Sequence, residues 1–396
     1  MLDGEIIEQG ELPLLNTPPH GSAVVTIPCT QPDGEPGAAR WLTVSFSLAR
    51  AAAWAPRGHE VAWAQFELPA RPAPAPIVKI DAMPRLRVAE TAERIEVEGE
   101  DFLVVFDRWT GAIASWEHAG MRLIEPGAGP QLQVWRAPTD NDVHIAREWR
   151  KAGYDRLMRR VERAALRALP FRNGARPPGA ARVDVDAVLN AHGVTTRLDC
   201  QYSYTVYGTG DIVVSVALHP GPGLPVLPRA ALEMRVPGRF DRFAWHGRGP
   251  HESYIDRKES ARIGVYEGSV DDQFVPYIFP QENGLKSDAR WATLSDARGR
   301  GLCVLGMPLI NVAALRYTAA DLTQARHLHE LTRREDIVLT LDYRHNGLGS
   351  NSCGPAPLAR YLLPAEPMAF RVRLTPFTGE ALPASAYLRT QLESLD

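Results

Sequence analysis

Hydrophobic and polar residues alternate over short stretches along most of this chain, with the period of two that sends successive side chains to opposite faces of a strand. "EIIEQG" (5–10), "SAVVTIP" (22–28), "RWLTVSFSL" (40–48) and "HEVAWAQFEL" (59–68) carry the pattern first and predict four strands. "PARPAPAP" (69–76) interrupts it, because alternating Pro and Ala cannot continue a sheet ladder and read as a stiff extended linker. Beyond the linker, "RIEVEGEDFLVVFDRWTGAIASWEHAG" (94–120) predicts a hairpin that turns between Asp107 and Gly111. Further alternating runs continue to about residue 378, so the predicted fold class is all-β. One segment departs from this. "IAREWRKAGYDRLMRR" (145–160) spaces Ile145, Trp149, Ala152 and Leu157 as an amphipathic helix would, with basic residues between. "FRNGARPPGAAR" (171–182) reads as a surface loop.

The first four strands pose a packing problem. A sandwich of immunoglobulin type needs about seven strands to cover both inner faces. An incomplete one leaves apolar faces and strand edges bare. The pattern therefore predicts either a second polypeptide that completes the sandwich or a chain that lacks its beginning.

Composition narrows the class of function. The 32 glycines and 33 prolines among 396 residues suit a turn-rich β protein with a large core. With 44 basic and 47 acidic residues the net charge is −3, and no run of like sign supplies a nucleic-acid footprint or a polybasic membrane patch. The cysteines, Cys29, Cys200, Cys303 and Cys353, are far apart and lack zinc-site spacing, which predicts free thiols in a reducing compartment. "MLDGEIIEQGELP" is acidic and has no apolar leader, so a cytoplasmic location is expected.

Several stretches concentrate polar chemistry. "HGRGPHESYIDRK" (246–258) offers His251 and Glu252 as an acid and base, with Asp256 and Arg257 to fix a hydroxylated ligand. Equally, its glycines and proline make a tight turn whose charges pair among themselves. "WRAPTDND" (135–142) holds Asp140, Asn141 and Asp142, which can ligate sugar hydroxyls or cap the helix that follows. "FPQENGLKSDARW" (279–291) places Glu282 and Asn283 before Gly284, a turn with a solvated Lys286 unless it faces a pocket. "RHNGLGSNSCGP" (344–355) offers Asn346, Asn351, Ser352 and Cys353 on a glycine-rich loop. "HLHE" (327–330) sets His327 and His329 on one face of a strand as a metal pair would require, but no third ligand stands at a telling distance and no metal is expected. Glycoside cleavage usually needs two carboxylates about 5 to 9 Å apart, often on a (β/α)₈ barrel, and no alternating strand–helix series is present.

Taken together, "GELPL", "WRAPTDND", "GRGPHESYIDRK", "PQENGLKSDARW" and "GSNSCGP" resemble, in order and spacing, the carboxyl end of the large bacterial β-galactosidases of glycoside hydrolase family 2. The resemblance runs from about residue 3 to residue 376. It implies a partial immunoglobulin-like domain at 1–69, the Pro/Ala linker at 70–84, a galactose-mutarotase-like β-supersandwich at 85–380 and a tail at 381–396. It also implies substrate contacts from Asp140, Asn141, Asp142, His144, His251, Glu252, Glu282, Asn351 and Cys353, with both catalytic glutamates on a barrel this chain lacks. His144 stands where some members have glycine, and Cys353 where some have a tryptophan that stacks on the leaving-group sugar. No cofactor is expected in this chain, the magnesium and sodium of the family belonging to the barrel. The implied partners are a barrel-bearing large chain and a galactoside, in a possible homo-oligomer. Other readings are a freestanding carbohydrate-binding module, a mutarotase-like epimerase using His251 and Glu252, or a misfolding-prone fragment.

Overall fold

The computed structural model describes residues 1–29, 38–69, 76–167, 179–378 and 390–395. Much of the expected linker (70–75), residues 171–178 of the expected loop (171–182), residues 379–380 and most of the expected tail (381–389 and 396) lie outside them. Two sheets dominate the described residues, and both are antiparallel. The larger has twelve strands. Its main path runs Met158–Arg167, Ala180–Asn190, Arg197–Tyr207, Ile212–Pro220, Met368–Phe377, Gly301–Leu315, Lys286–Ser295, Arg242–Gly249 and Arg262–Ser269. A branch leaves Gly301–Leu315 through Ile337–His345 to Arg229–Val236 and Gln131–Gln133. The smaller sheet has five strands between Arg87 and Arg122.

Alternation explains why these sheets stack. Val183, Val185 and Ala187, then Leu198, Cys200, Tyr202 and Tyr204, then Ile212, Val214 and Val216 turn one way into the core. Arg182, Asp184 and Asp186, interleaved with the first set, stay on the other face. From the smaller sheet Ile95, Val97, Phe106 and Trp116 enter the same apolar cluster, and Phe106 meets Tyr204 with ring centroids 5.3 Å apart. The Asp107–Gly111 turn forms as its sequence predicts: the Asp107 carboxylate accepts from the amides of Trp109 (2.9 Å) and Thr110 (2.7 Å), and Gly111 takes the positive φ of 58° that closes it. The fold is all-β, as expected.

Four expectations need correction. Residues 5–10 and 22–28 are not strands, and the opening region instead forms a two-stranded ribbon, Arg40–Ser47 with Glu60–Leu68. An alternating pattern makes a strand only where a neighbour completes its hydrogen-bond ladder, and Ile6, Ile7 and Val24 stay exposed. The helix spans only Ile145–Lys151, because Gly153 (φ 76°) breaks it and Met158 already starts a strand. "HLHE" is no strand but the 3₁₀ turn Leu328–Glu330. Finally, part of the expected tail pairs: Gln391–Leu392 lies parallel to Ile77–Val78, and the Glu393 carboxylate accepts from Lys79 Nζ (3.1 Å) and the Ile80 amide (2.9 Å).

The ribbon docks on the edge of the large sheet. Gln65 imitates a strand residue there, accepting from the Ile263 amide (2.8 Å) and donating to its carbonyl (2.9 Å). Arg262 lies 4.6 Å above the Trp63 ring, and Arg290 lies 5.3 Å above Trp41. Nearby His246 is fully buried, edge-on to Trp291, and neither of its ring nitrogens has a hydrogen-bond partner among the described residues. Burial pushes this imidazole down to about 4, aided by Arg290 and opposed by Asp3.

In the unfolded chain the same ring protonates near its ordinary value of about 6.5. Stability is therefore intact above that pH and is lost as pH falls from about 6.5 to about 4, by on the order of 3 kcal/mol. His246→Leu is expected to flatten this dependence between pH 7 and pH 4.5 in urea titrations. A slope unchanged by the substitution would refute the assignment.

Candidate functional site

Four stretches that the sequence singles out meet at one end of the large sheet, and a buried guanidinium joins two of them. Arg136 is completely inaccessible to solvent. Its Nε and one terminal nitrogen donate to the two oxygens of Asp142, at 3.1 and 2.7 Å. The terminal nitrogens also donate to the carbonyls of Asn346 (2.6 Å) and Gly347 (3.2 Å), and one lies 2.8 Å from His345 Nδ1. The same Nδ1 also lies 2.9 Å from the Asn346 carbonyl, which leaves Nε2 on the far side of the ring. That nitrogen faces Glu282 Oε1 across 3.8 Å, an electrostatic contact longer than a hydrogen bond.

A second guanidinium continues the network. Arg229, on the strand Arg229–Val236, donates through Nε to Asp342 (2.8 Å) and through a terminal nitrogen to Glu282 (3.2 Å). Burial alone would push the Glu282 carboxyl up, but Arg229, His345 and Arg136 outweigh it and hold the group down to about 2. Burial likewise opposes the charge on Arg229, and Asp342 and Glu282 overcome it, so its affinity for a proton rises. Two arginines thus face three carboxylates, all buried and mutually bonded.

Around this network the loops are stitched together. Asn141 donates to the Gly349 carbonyl (2.8 Å) and accepts from the Ser352 amide (3.2 Å) and hydroxyl (2.8 Å). Asp256 accepts from the amides of Leu348 (3.0 Å) and Gly349 (2.7 Å). Gln281 bonds both the amide and the carboxylate of Asp140, each at 3.1 Å. Glu252 accepts from Arg257, the Tyr277 hydroxyl and the Gly284 amide. Ser287 donates twice to Ser253, from its amide to the hydroxyl oxygen (3.0 Å) and from its hydroxyl to the carbonyl (2.7 Å).

The expected contact residues thus divide by environment. Asp142, Glu252 and Glu282 are buried with their oxygens engaged by arginines, so they hold loops in place. Asp140, His144 and Cys353 are exposed, and Asn141 and Asn351 are half-buried at the same rim. His251 and Glu252 diverge: the imidazole turns outward to Ser260 (2.9 Å), so the two do not face a common point. Lys286 is not solvated but buried, donating to the Pro250 carbonyl (3.1 Å) 4.8 Å above the Trp245 ring. Burial pushes it down to about 8. Asn346 is also internal, tying the Leu363 amide (3.0 Å) to its own loop. Asp256 and Arg257 likewise serve the loops, and Arg248 and Lys258 of the same stretch converge on Asp288 at 2.8 Å each.

Sequence reasoning missed Arg136, Arg229, Asp342 and His345, because their partners lie 53 to 211 residues away or, for Asp142, in a motif read as sugar ligands or a helix cap. Arg136 and His345 did lie inside stretches singled out, "WRAPTDND" and "RHNGLGSNSCGP". Beside the network lies a cavity of about 150 Å³ lined by Lys258, Asp288, Asn311, Tyr343 and His345. Ligand pockets usually enclose roughly 300 to 1,000 Å³. A larger groove of about 550 Å³ crosses the polar face of the sheet at Arg163, Arg182, Gln201 and Ser215, and none of the expected contact residues lines it. Apolar side chains stand bare at the loop rim: Ile278 is 90 % exposed, with Phe279, Val143 and Leu358 also exposed.

The chain matches two family models, "Beta galactosidase small chain" over residues 98–374 and "Beta-galactosidase, domain 4" over residues 1–69. A beta-galactosidase of Priestia megaterium is 32% identical over 361 residues, covering 88% of this chain and 32% of the relative. One from Arthrobacter sp. (strain B7) is 34% identical, covering 80% and 31%. One from Pseudoalteromonas haloplanktis is 28% identical, covering 94% and 35%. The chain therefore spans about a third of the length of these curated relatives. Among solved structures, galactose 1-epimerase from Lactobacillus acidophilus overlaps loosely, with a TM-score of 0.37 and 11% identity over 75% of this chain and all of that one. The small-chain model covers well over half of the residues, and by that match the chain belongs to the β-galactosidase small-chain family.

Proposed function

We propose that the chain is the small-chain part of a β-galactosidase and completes the sugar pocket of a (β/α)₈ barrel carried on a partner polypeptide. The carrying observation is the rim itself: four loops locked by buried ion pairs and hydrogen bonds present polar groups and bare apolar side chains, and the cavity beside their network is too small for a ligand pocket. Such a surface suits a second surface laid across it. The two glutamates of the cluster support the same division of labour. A retaining glycosidase needs one carboxyl as nucleophile and another as proton donor, about 5 to 5.5 Å apart. Glu252 is enclosed by Arg257, Tyr277 and Gly284, while Glu282, held near 2, carries no proton to donate at neutral pH. The acid and nucleophile are therefore assigned to the barrel, and the substrate to terminal β-D-galactosides.

In this reading Asp140, Asn141, His144, Asn351 and Cys353 shape the aglycone side of the pocket. Cys353 presents a thiol where a larger ring would stack, so preference for a glucose aglycone is reduced. A cytoplasmic site of action completes the proposal. No helix among the described residues is long and apolar enough to cross a membrane.

The test is hydrolysis of a chromogenic β-galactoside by the purified chain, by a barrel-bearing chain of the same source, and by their mixture. Activity is expected in the mixture alone. Equal activity without this chain, or none in any combination of folded proteins, would overturn the proposal. Asn141→Ala removes three hydrogen bonds to the 349–352 loop, worth about 1 kcal/mol each. In the mixture it is expected to raise KM several-fold while kcat changes less. Arg136→Leu leaves Asp142 buried without its partner and is expected to cost about 3 to 5 kcal/mol, read as a lower urea midpoint.

A further inference from the structure

The 3₁₀ turn Leu328–Glu330 lies between the helix Ala319–Gln324 and the strand Ile337–His345, and none of its residues belongs to the loop network above. The histidine pair in it gains a third ligand from the turn. As a strand, "HLHE" would send Glu330 to the face opposite His329. The 3₁₀ path instead brings it beside His327, three residues earlier, where residues at i and i+3 eclipse. Nitrogen and oxygen atoms of His327, His329 and Glu330 then lie within 4.8 Å of one another.

We propose that His327, His329 and Glu330 form a surface site for a first-row transition dication, with Zn²⁺ as the reference ion. Two imidazoles and one carboxylate are ligands such ions favour, whereas Mg²⁺ and Ca²⁺ demand oxygen-rich shells. The two rings are parallel to within 16° with centroids 5.4 Å apart, and His327 Nδ1 is 2.9 Å from Glu330 Oε1. The other carboxylate oxygen of Glu330 accepts from the Arg326 amide (2.8 Å), which orients it before any ion arrives. All three side chains are exposed, so a hydrated ion can reach them.

Around tetrahedral Zn²⁺ the donor atoms would stand about 3.3 Å apart, given bonds of about 2.0 to 2.1 Å. The observed spacing closes to that by side-chain rotation alone. The backbone is meanwhile fixed by Glu330 N to His327 O (3.0 Å) and Leu331 N to Leu328 O (3.2 Å), and by buried Leu322 and Ala325 just before the turn. Binding exchanges the His327–Glu330 hydrogen bond for metal bonds and leaves a fourth position for water. The site does not depend on the proposed galactosidase role.

The experiment is calorimetric titration of ZnCl₂ into the tag-free full chain after dialysis against a chelator. About one ion per chain is expected, with a Kd on the order of micromolar. His327→Ala and His329→Ala should each weaken it about tenfold or more, and Glu330→Gln by less, with urea midpoints unchanged because the side chains are exposed. No saturable binding, or undiminished affinity in the double histidine variant, would overturn the proposal. So would a thiolate-to-metal charge-transfer band on Co²⁺ substitution, which would move the ion to exposed Cys29 or Cys353.

Discussion

A guanidinium sealed from water, with every donor engaged, is the constraint on which this end of the molecule depends. Taking a charge out of water costs several kcal/mol unless its partners replace the lost hydration. Arg136 finds those partners in Asp142, His345 and two backbone carbonyls, drawn from segments more than 200 residues apart. One side chain thereby holds both segments, and the placement of each depends on the other. The carbonyls of Asn346 and Gly347 matter as much as the carboxylate, because they tie the glycine-rich loop to the network by its main chain.

Hydrophobic burial and polar bonding divide the work along the sheet. Over most of its width, alternation alone sorts apolar residues inward and charged residues outward, and the smaller sheet closes the apolar side. At the loop end, among the described residues, buried ion pairs do much of the work that apolar contact does elsewhere. Tyr254, Leu285, Ala313 and Leu348 form only a small separate apolar cluster there. Polar networks of this kind fix geometry more sharply than they stabilise, since their attractions largely repay desolvation. That suits loops whose positions matter more than their strength.

The all-β class and the Asp107–Gly111 turn were legible in the sequence because both rest on local rules, period-two alternation and Asx-type turn chemistry. The clustering of "WRAPTDND", "GRGPHESYIDRK", "PQENGLKSDARW" and the glycine-rich loop was legible only as a resemblance. Their internal roles were not. Asp142, Glu252 and Glu282 look like ligands in sequence because carboxylates usually face water, and only their long-range arginine partners turn them inward. Lys286 misleads for the same reason, since its burial over Trp245 depends on a neighbouring strand. The strands expected at 5–10 and 22–28 failed for lack of a partner edge, and the helix at 145 stopped short at Gly153.

The short parallel pairing of Ile77–Val78 with Gln391–Leu392 carries a kinetic consequence. The Lys79–Glu393 contact beside it joins positions 314 residues apart, a closure that would cost about 5 kcal/mol of chain entropy if attempted first. Once Met368–Phe377 has taken its place beside Ile212–Pro220, only a loop of roughly a dozen residues remains to be closed, and the cost falls to about 2 kcal/mol. Two rungs, an exposed ion pair, the Tyr207 hydroxyl donating to the Glu393 carbonyl (3.0 Å) and the packing of Val78 and Leu392 against Met83, Ala180 and Tyr207 offset that cost. The seam therefore closes cheaply only after the central strands are in place, an order set by chain entropy rather than by the strength of its own contacts.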